Sequence, residues 1–82
     1  MTEQEILDLV RHNQRLYTER KEGLMRGIKH PRNPGKIYYP KDWMMLKCDD
    51  GEWRPCVVYV SKKFERYARR ADQFEKFEVT HD

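Results

Sequence analysis

Little in this sequence belongs to the residue types that carry familiar chemistry. Its 82 residues include two cysteines, Cys48 and Cys56, three histidines and a single serine, Ser61. Two cysteines make no disulfide framework, and without a secretory pattern they are expected to be reduced thiols in a cytoplasmic protein. No apolar run approaches the roughly 20 residues that a bilayer crossing needs, and the first residues lack the basic-then-apolar order of a signal peptide. No membrane partner is therefore expected. Phosphate-cradling glycine loops and the His-Glu-x-x-His zinc motif are missing too.

Metal binding fits poorly. Structural zinc sites draw ligand pairs from positions about two to four residues apart, so that one turn supplies both. Cys48 and Cys56 are separated by seven residues, and His12, His30 and His81 lie far from one another in the chain. Both thiols read instead as small hydrophobes of a sheet. Neither a metal nor a cofactor is expected.

Catalysis has as little to work with. A nucleophile needs a base in hydrogen-bond reach and a third group to orient that base. Ser61 sits beside Lys62 and Lys63 in a turn, and Asp49 and Asp50 precede Gly51, where they read as turn formers. Carboxylates in a turn stay solvated and ionised, without the raised pKa of an acid catalyst. So short a chain also has a thin core and little room for a closed active site. The expectation is a protein that binds and does not catalyse.

Charge and aromatic residues are what the chain does have. Charged residues make up 38% and aromatic residues 12%, and the net charge is +3. That mild total conceals strong blocks: residues 26–47 and 54–70 each sum to +5, while 48–53 and 71–82 each sum to −3. Alternating blocks of this kind set register and steer a partner of complementary pattern.

Residues 2–26 read as one amphipathic helix. Thr2 with Glu5 three positions later is a capping box, and acidic residues precede basic ones as the helix dipole favours. Val10, Tyr17 and Leu24 recur every seven residues, and Ile6, Leu9 and Leu16 widen that line into a face. Residues 30–36, with two prolines and a glycine, read as a turn-rich connector that is neither helix nor central strand.

The rest, 37–80, is read as β-rich. Strand candidates are Ile37–Tyr39, closed by Pro40, then Trp43–Cys48 and Glu52–Val60, the last two joined by Asp49-Asp50-Gly51. Both faces of Pro55–Val60 are apolar, which suits a strand buried on both sides. After residue 60 a helical spacing of Phe64, Tyr67, Ala71, Phe74 and Phe77 competes with strand alternation. The reading adopted is a strand over 64–69, a helical turn over 71–75 and a last strand over 76–80. The fold class is thus α+β in a single domain, 1–82: an N-terminal helix followed by a small antiparallel sheet or a partial SH3-like barrel.

Val57-Val58-Tyr59, a variable turn, and then Tyr67-Ala68-Arg69-Arg70-Ala71-Asp72-Gln73-Phe74 resemble a pattern found in a widespread family of small bacterial and phage domains of unknown function. That pattern is an apolar-Val-Tyr run followed by aromatic-x-Arg-x, a polar residue and Phe. Members usually carry Arg-Pro where this chain has Arg70-Ala71. The resemblance spans about residues 43–79. It implies a compact β fold carried on phage genomes and no catalytic residue.

Two kinds of binding follow. Arg32, Lys36, Lys41, Arg54, Lys62, Lys63, Arg66, Arg69 and Arg70 are interleaved with Tyr38, Tyr39, Trp43, Trp53, Phe64 and Tyr67, a mixture suited to phosphates and stacked bases. Against that stand 14 acidic residues and a core that would consume many of the ten aromatics. The preferred reading is a protein partner, such as a host enzyme or defence component that a phage protein inhibits. Lys62, Lys63, Arg54, Arg66, Arg69 and Arg70 would supply the charged contact, and Trp53 or Tyr38 the aromatic anchor. The helix face of Ile6, Leu9, Val10, Leu16, Tyr17 and Leu24 would either pack on the chain's own sheet or form a twofold homodimer.

Overall fold

The computed structural model describes residues 1–80. Helix α1 runs over Glu3–Thr18. Its start obeys the capping box: the Glu5 N–H donates to Thr2 Oγ1 at 3.1 Å, and the Thr2 N–H donates to the Glu5 carboxylate at 3.0 Å. These hydrogen bonds from Thr2 hold the Glu5 carboxyl below its ordinary pKa.

The helix stops eight residues before the expected end at 26. Arg20 takes a left-handed φ of 59°, the Lys21 N–H returns to the Leu16 carbonyl at 2.7 Å and the Arg20 N–H to Tyr17 at 3.1 Å. This pair of bonds is a Schellman closure, which usually has glycine at the left-handed position. With arginine there, the stop signal is hidden from a reader looking to Gly23 and Gly27. Leu24 consequently leaves the helical stripe and sits in a short 3-10 turn, Glu22–Leu24, at 66% exposure.

Five antiparallel strands follow in the spatial order β4-β3-β2-β1-β5. They are β1 (Ile28–His30), β2 (Asn33–Lys47), β3 (Trp53–Ser61), β4 (Arg66–Arg70) and β5 (Glu78–Val79), with a 3-10 turn at Ala71–Gln73 between the last two. The sheet is open, since β4 and β5 lie at opposite edges. The expected α+β architecture forms as a sheet with a kinked middle strand, not a closed barrel. Among the described residues no helix is long and apolar enough to cross a membrane.

Two expected boundaries change. The connector at 30–36 shrinks to a turn at Pro31-Arg32, and Asn33–Lys36 already belongs to β2. The candidates Ile37–Tyr39 and Trp43–Cys48 form one strand that continues through Pro40. The reason lies in the pairing. Lys41 is the extra residue of a β-bulge between Pro40↔Tyr59 and Asp42↔Val58, and bulges tolerate proline. The Pro40 carbonyl accepts from Asn13 at 2.8 Å, so the backbone groups of this residue face away from β3 and no β2–β3 bond is lost. The expected elements over 64–80 do form, displaced by a few residues, with Phe64 in the turn and not in the strand.

Directly opposed residues share a face of the sheet. Val57 and Tyr59 pack with Ile28, Ala71, Phe74 and Phe77 and with Ile6, Leu9 and Val10 of α1. Tyr38, Tyr59, Phe74 and Phe77 form a chain of aromatic contacts with centroids 5.1–5.6 Å apart. Asn13 is wholly buried among these apolar groups. Its amide donates to the carbonyls of Pro40 and Arg26, at 2.8 and 3.0 Å, and its oxygen accepts the Arg26 N–H at 2.9 Å. It thereby ties α1 to the segment entering β1 and to the edge of β2.

Candidate binding surfaces

The β3–β4 turn projects an aromatic residue into solvent. Ser61 organises it: its N–H donates to the Glu65 carbonyl at 2.9 Å, and its hydroxyl accepts from the N–H groups of Lys63 and Glu65, each at 3.2 Å. Within this frame Phe64 has a left-handed φ of 65° and is 86% exposed. A bulky side chain in that conformation is held there by its surroundings, and such strain concentrates where a protein meets ligands.

Beside Phe64 lies an open groove of about 520 Å³. Tyr17, Met25, Tyr39, Val60 and Phe64 line it together with the charged Glu22, Lys41, Lys62 and Arg66. The Lys41 ammonium lies 4.8 Å from the centre of the Tyr17 ring, a cation–π contact that fixes both. A smaller groove of about 280 Å³ lies on the other side of the turn, between Lys36, Tyr38, Lys62, Lys63 and Tyr67.

The expected charged contact is thus divided. Lys62, Lys63 and Arg66 gather at the turn and have no ion-pair partner among the described residues. Arg54 is spent elsewhere: it clamps Asp50 with two bonds of 3.1 and 2.7 Å, fastening the β2–β3 turn. Arg54 hydrogen bonding holds the Asp50 carboxyl down at about 2. Arg69 lies over the Phe77 ring at 5.1 Å, and the Arg70 Nε lies 3.2 Å from an Asp72 oxygen. Tyr38 is half-buried against Tyr59 and Tyr67, whereas Trp53 is 59% exposed at the far end of β3. The two expected anchors do not share a site.

For the helix face, the first of the two alternatives, packing on the chain's own sheet, is the one the structure shows. Ile6, Leu9, Val10 and Leu16 are buried within the chain itself, because the sheet and the Ala71–Phe77 segment cover the shortened helix. They present no dimer face. Tyr17 remains half-exposed as a groove wall, and Leu24 stands apart from the stripe. The sequence reading singled out neither Met25 as part of a site nor Asn13; a polar residue at a core position of the stripe was the available signal for the latter.

Among the described residues no group of three or more His, Cys, Asp or Glu side chains is placed to hold a metal ion; His81 lies outside them. Cys48 is partly exposed and Cys56 buried, and burial raises the Cys56 pKa so that it stays a thiol. Compared with known proteins, the chain matches no family model, no curated protein and no solved structure.

Proposed function

We propose that this chain is a non-catalytic binding protein that grips a partner protein at the β3–β4 turn. Phe64 is the anchor, and Lys41, Lys62, Lys63 and Arg66 steer and orient an acidic surface around it. The setting proposed is that of a phage-type accessory protein acting in the host cytoplasm, which modulates or inhibits a host protein such as a defence component. The observation that carries the reading is Phe64, exposed at 86% in a left-handed conformation and bordered by cations that have no ion-pair partner among the described residues. Aromatic anchors ringed by polar groups dominate protein interfaces, and truncating one typically costs about 2 kcal/mol or more, or roughly 30-fold in affinity. Charges on the rim act mostly on the association rate.

One observation favours a second reading, single-stranded nucleic acid. Tyr39 and Phe64 adjoin the same free cations, and base stacking with phosphate neutralisation uses this combination. The two are separated by one set of measurements. Affinity capture from nuclease-treated host lysate, with wild type and Phe64→Ala side by side, is expected to recover a stoichiometric protein with the wild type alone. Binding to single-stranded DNA and RNA at about 50 and 200 mM salt probes the alternative, which demands a steep salt dependence. Equal recovery by both variants, or tight salt-sensitive nucleic-acid binding with no protein captured, would sink the protein-partner reading.

A further inference from the structure

Beyond the bulge, β2 and the start of β3 form a two-stranded arm with an unusual surface. Trp43, Met44, Met45, Leu46 and Trp53 on this arm are 38%, 54%, 48%, 45% and 59% exposed. Successive residues face opposite sides, so Trp43, Met45 and Trp53 share one face of the arm and Met44 and Leu46 the other. No described strand borders the arm. β1 pairs with β2 only as far as Tyr38, and β4 pairs with β3 only from Cys56 onward.

The hydrogen bonds reveal which backbone groups are open. In an antiparallel pair, the N–H and C=O of one residue point to the same side, and successive residues alternate. The Cys48 N–H donates across the hairpin to the Glu52 carbonyl at 2.8 Å, whereas the Trp43 N–H donates to the carboxylate of the preceding residue, Asp42, at 2.8 Å. Met44 and Leu46 therefore bond to β3, and Met45 and Lys47 aim their backbone groups at the free edge. A free edge flanked by apolar side chains is a template for another strand.

We propose that a second copy of this chain occupies that edge, β2 against β2, antiparallel about a twofold axis through Met45. A twofold perpendicular to the sheet opposes residues of the same face, so Met45 meets Met45 of the second copy, Trp43 meets Lys47 and Met44 meets Leu46. Each Met45 N–H donates to the other copy's Met45 carbonyl, and each Lys47 N–H to the other's Trp43 carbonyl. The Lys47 side chain then lies beside an indole, a favourable cation–π arrangement.

Charge selects this register from its neighbours. An axis through Leu46 sets Asp42 against Asp50 and Trp43 against Asp49 of the second copy, whereas an axis through Met44 brings Lys41 toward Lys47 and Asp42 against Leu46. The interface is isologous and closed, so it yields a dimer and not a fibre.

The test is the mass of the full chain by sedimentation across micromolar concentrations. Twice the 10.1 kDa of one chain is expected, with Met45→Lys returning to the single mass while its circular dichroism and Tm stay those of the wild type. A wild-type monomer at every concentration, including the case in which the edge serves a strand of a different protein, overturns the proposal. So does a dimer that Met45→Lys leaves intact. A second pair of variants reads the register in a Cys48→Ser background. Under mild oxidation Met45→Cys forms a disulfide dimer, since opposed hydrogen-bonded residues sit about 5.5 Å apart, and Met44→Cys does not. Equal cross-linking of both, or of Met44→Cys alone, refutes the register.

Discussion

Replacing Asn13 by alanine removes three hydrogen bonds at once. The amide side chain is fully buried and bonds to the Arg26 N–H, the Arg26 carbonyl and the Pro40 carbonyl. A typical intramolecular bond is worth about 1 kcal/mol net, and a buried group left without a partner costs about 1–3 kcal/mol. The Arg26 groups are part-buried and recover some solvation, whereas the Pro40 carbonyl is buried and does not. The expected loss is therefore about 3 kcal/mol. Stabilities of about 0.05–0.15 kcal/mol per residue leave so short a chain only about 4–12 kcal/mol in all. Urea unfolding followed by circular dichroism measures the change, and with a slope near 1 kcal/mol per molar the midpoint falls by about 3 M. Asn13→Asp sharpens the test. Its carboxylate retains the acceptor for Arg26 but faces two carbonyls without a donor, so the variant is as unstable as Asn13→Ala near neutral pH. Burial and those carbonyls raise the folded pKa of the new carboxyl, and stability returns as pH falls through it and an O–H donor forms. A loss below about 1 kcal/mol for Asn13→Ala would refute the view that these bonds hold helix and sheet together.

Two further outcomes follow from the backbone and from charge. Arg20→Gly relieves the left-handed strain at the end of α1, which outweighs the entropy of an added glycine; a gain of about 0.5–1 kcal/mol and a Tm higher by about 3–6 °C are expected by calorimetry, and an unchanged or lower Tm would contradict the Schellman assignment. Titration of Asp50 by NMR is expected to give about 2, returning toward 3.8 in Arg54→Gln. Because the folded pKa is depressed, the contribution of the pair to stability is present above the unfolded value and is lost as pH falls through the folded one; an Asp50 value near 3.8 in the wild type would mean that the clamp does not form in solution.

Much of the chain was legible because its signals are local. A capping box needs residues three apart, and the Asp49-Asp50-Gly51 turn needs a residue that accepts a φ of 83° at Gly51. The stripe of α1 and the apolar run of β3 likewise announce themselves within one turn or one pleat. Of the misread features, the strand through Pro40 depends on a partner distant in the chain, whereas the helix stop and the exposed Phe64 rest on left-handed residues that are not glycine. Pro40 stops a strand unless a bulge and the Asn13 side chain receive it, and Asn13 lies 27 residues away. Arg20 ends the helix through bonds back to Leu16 and Tyr17, a closure that an arginine at the left-handed position does not announce. Phe64 reads equally as a core residue or a surface one until the turn around Ser61 turns it outward.

The sequence by itself determined an α+β chain with one N-terminal helix, a β-rich remainder and two basic blocks, since periodicity, caps and charge order are properties of neighbouring residues. Tertiary structure alone decided which apolar and charged groups are left over. Burial is a competition for a limited core: α1 and the sheet satisfy each other through Ile6, Leu9 and Val10, which removes the helix as a docking face. Asp50 and Phe77 claim Arg54 and Arg69 in the same way. What remains uncovered among the described residues is Phe64 with its neighbouring cations at one turn and Trp43–Leu46 along a strand whose outer edge is free, and only the strand order shows it.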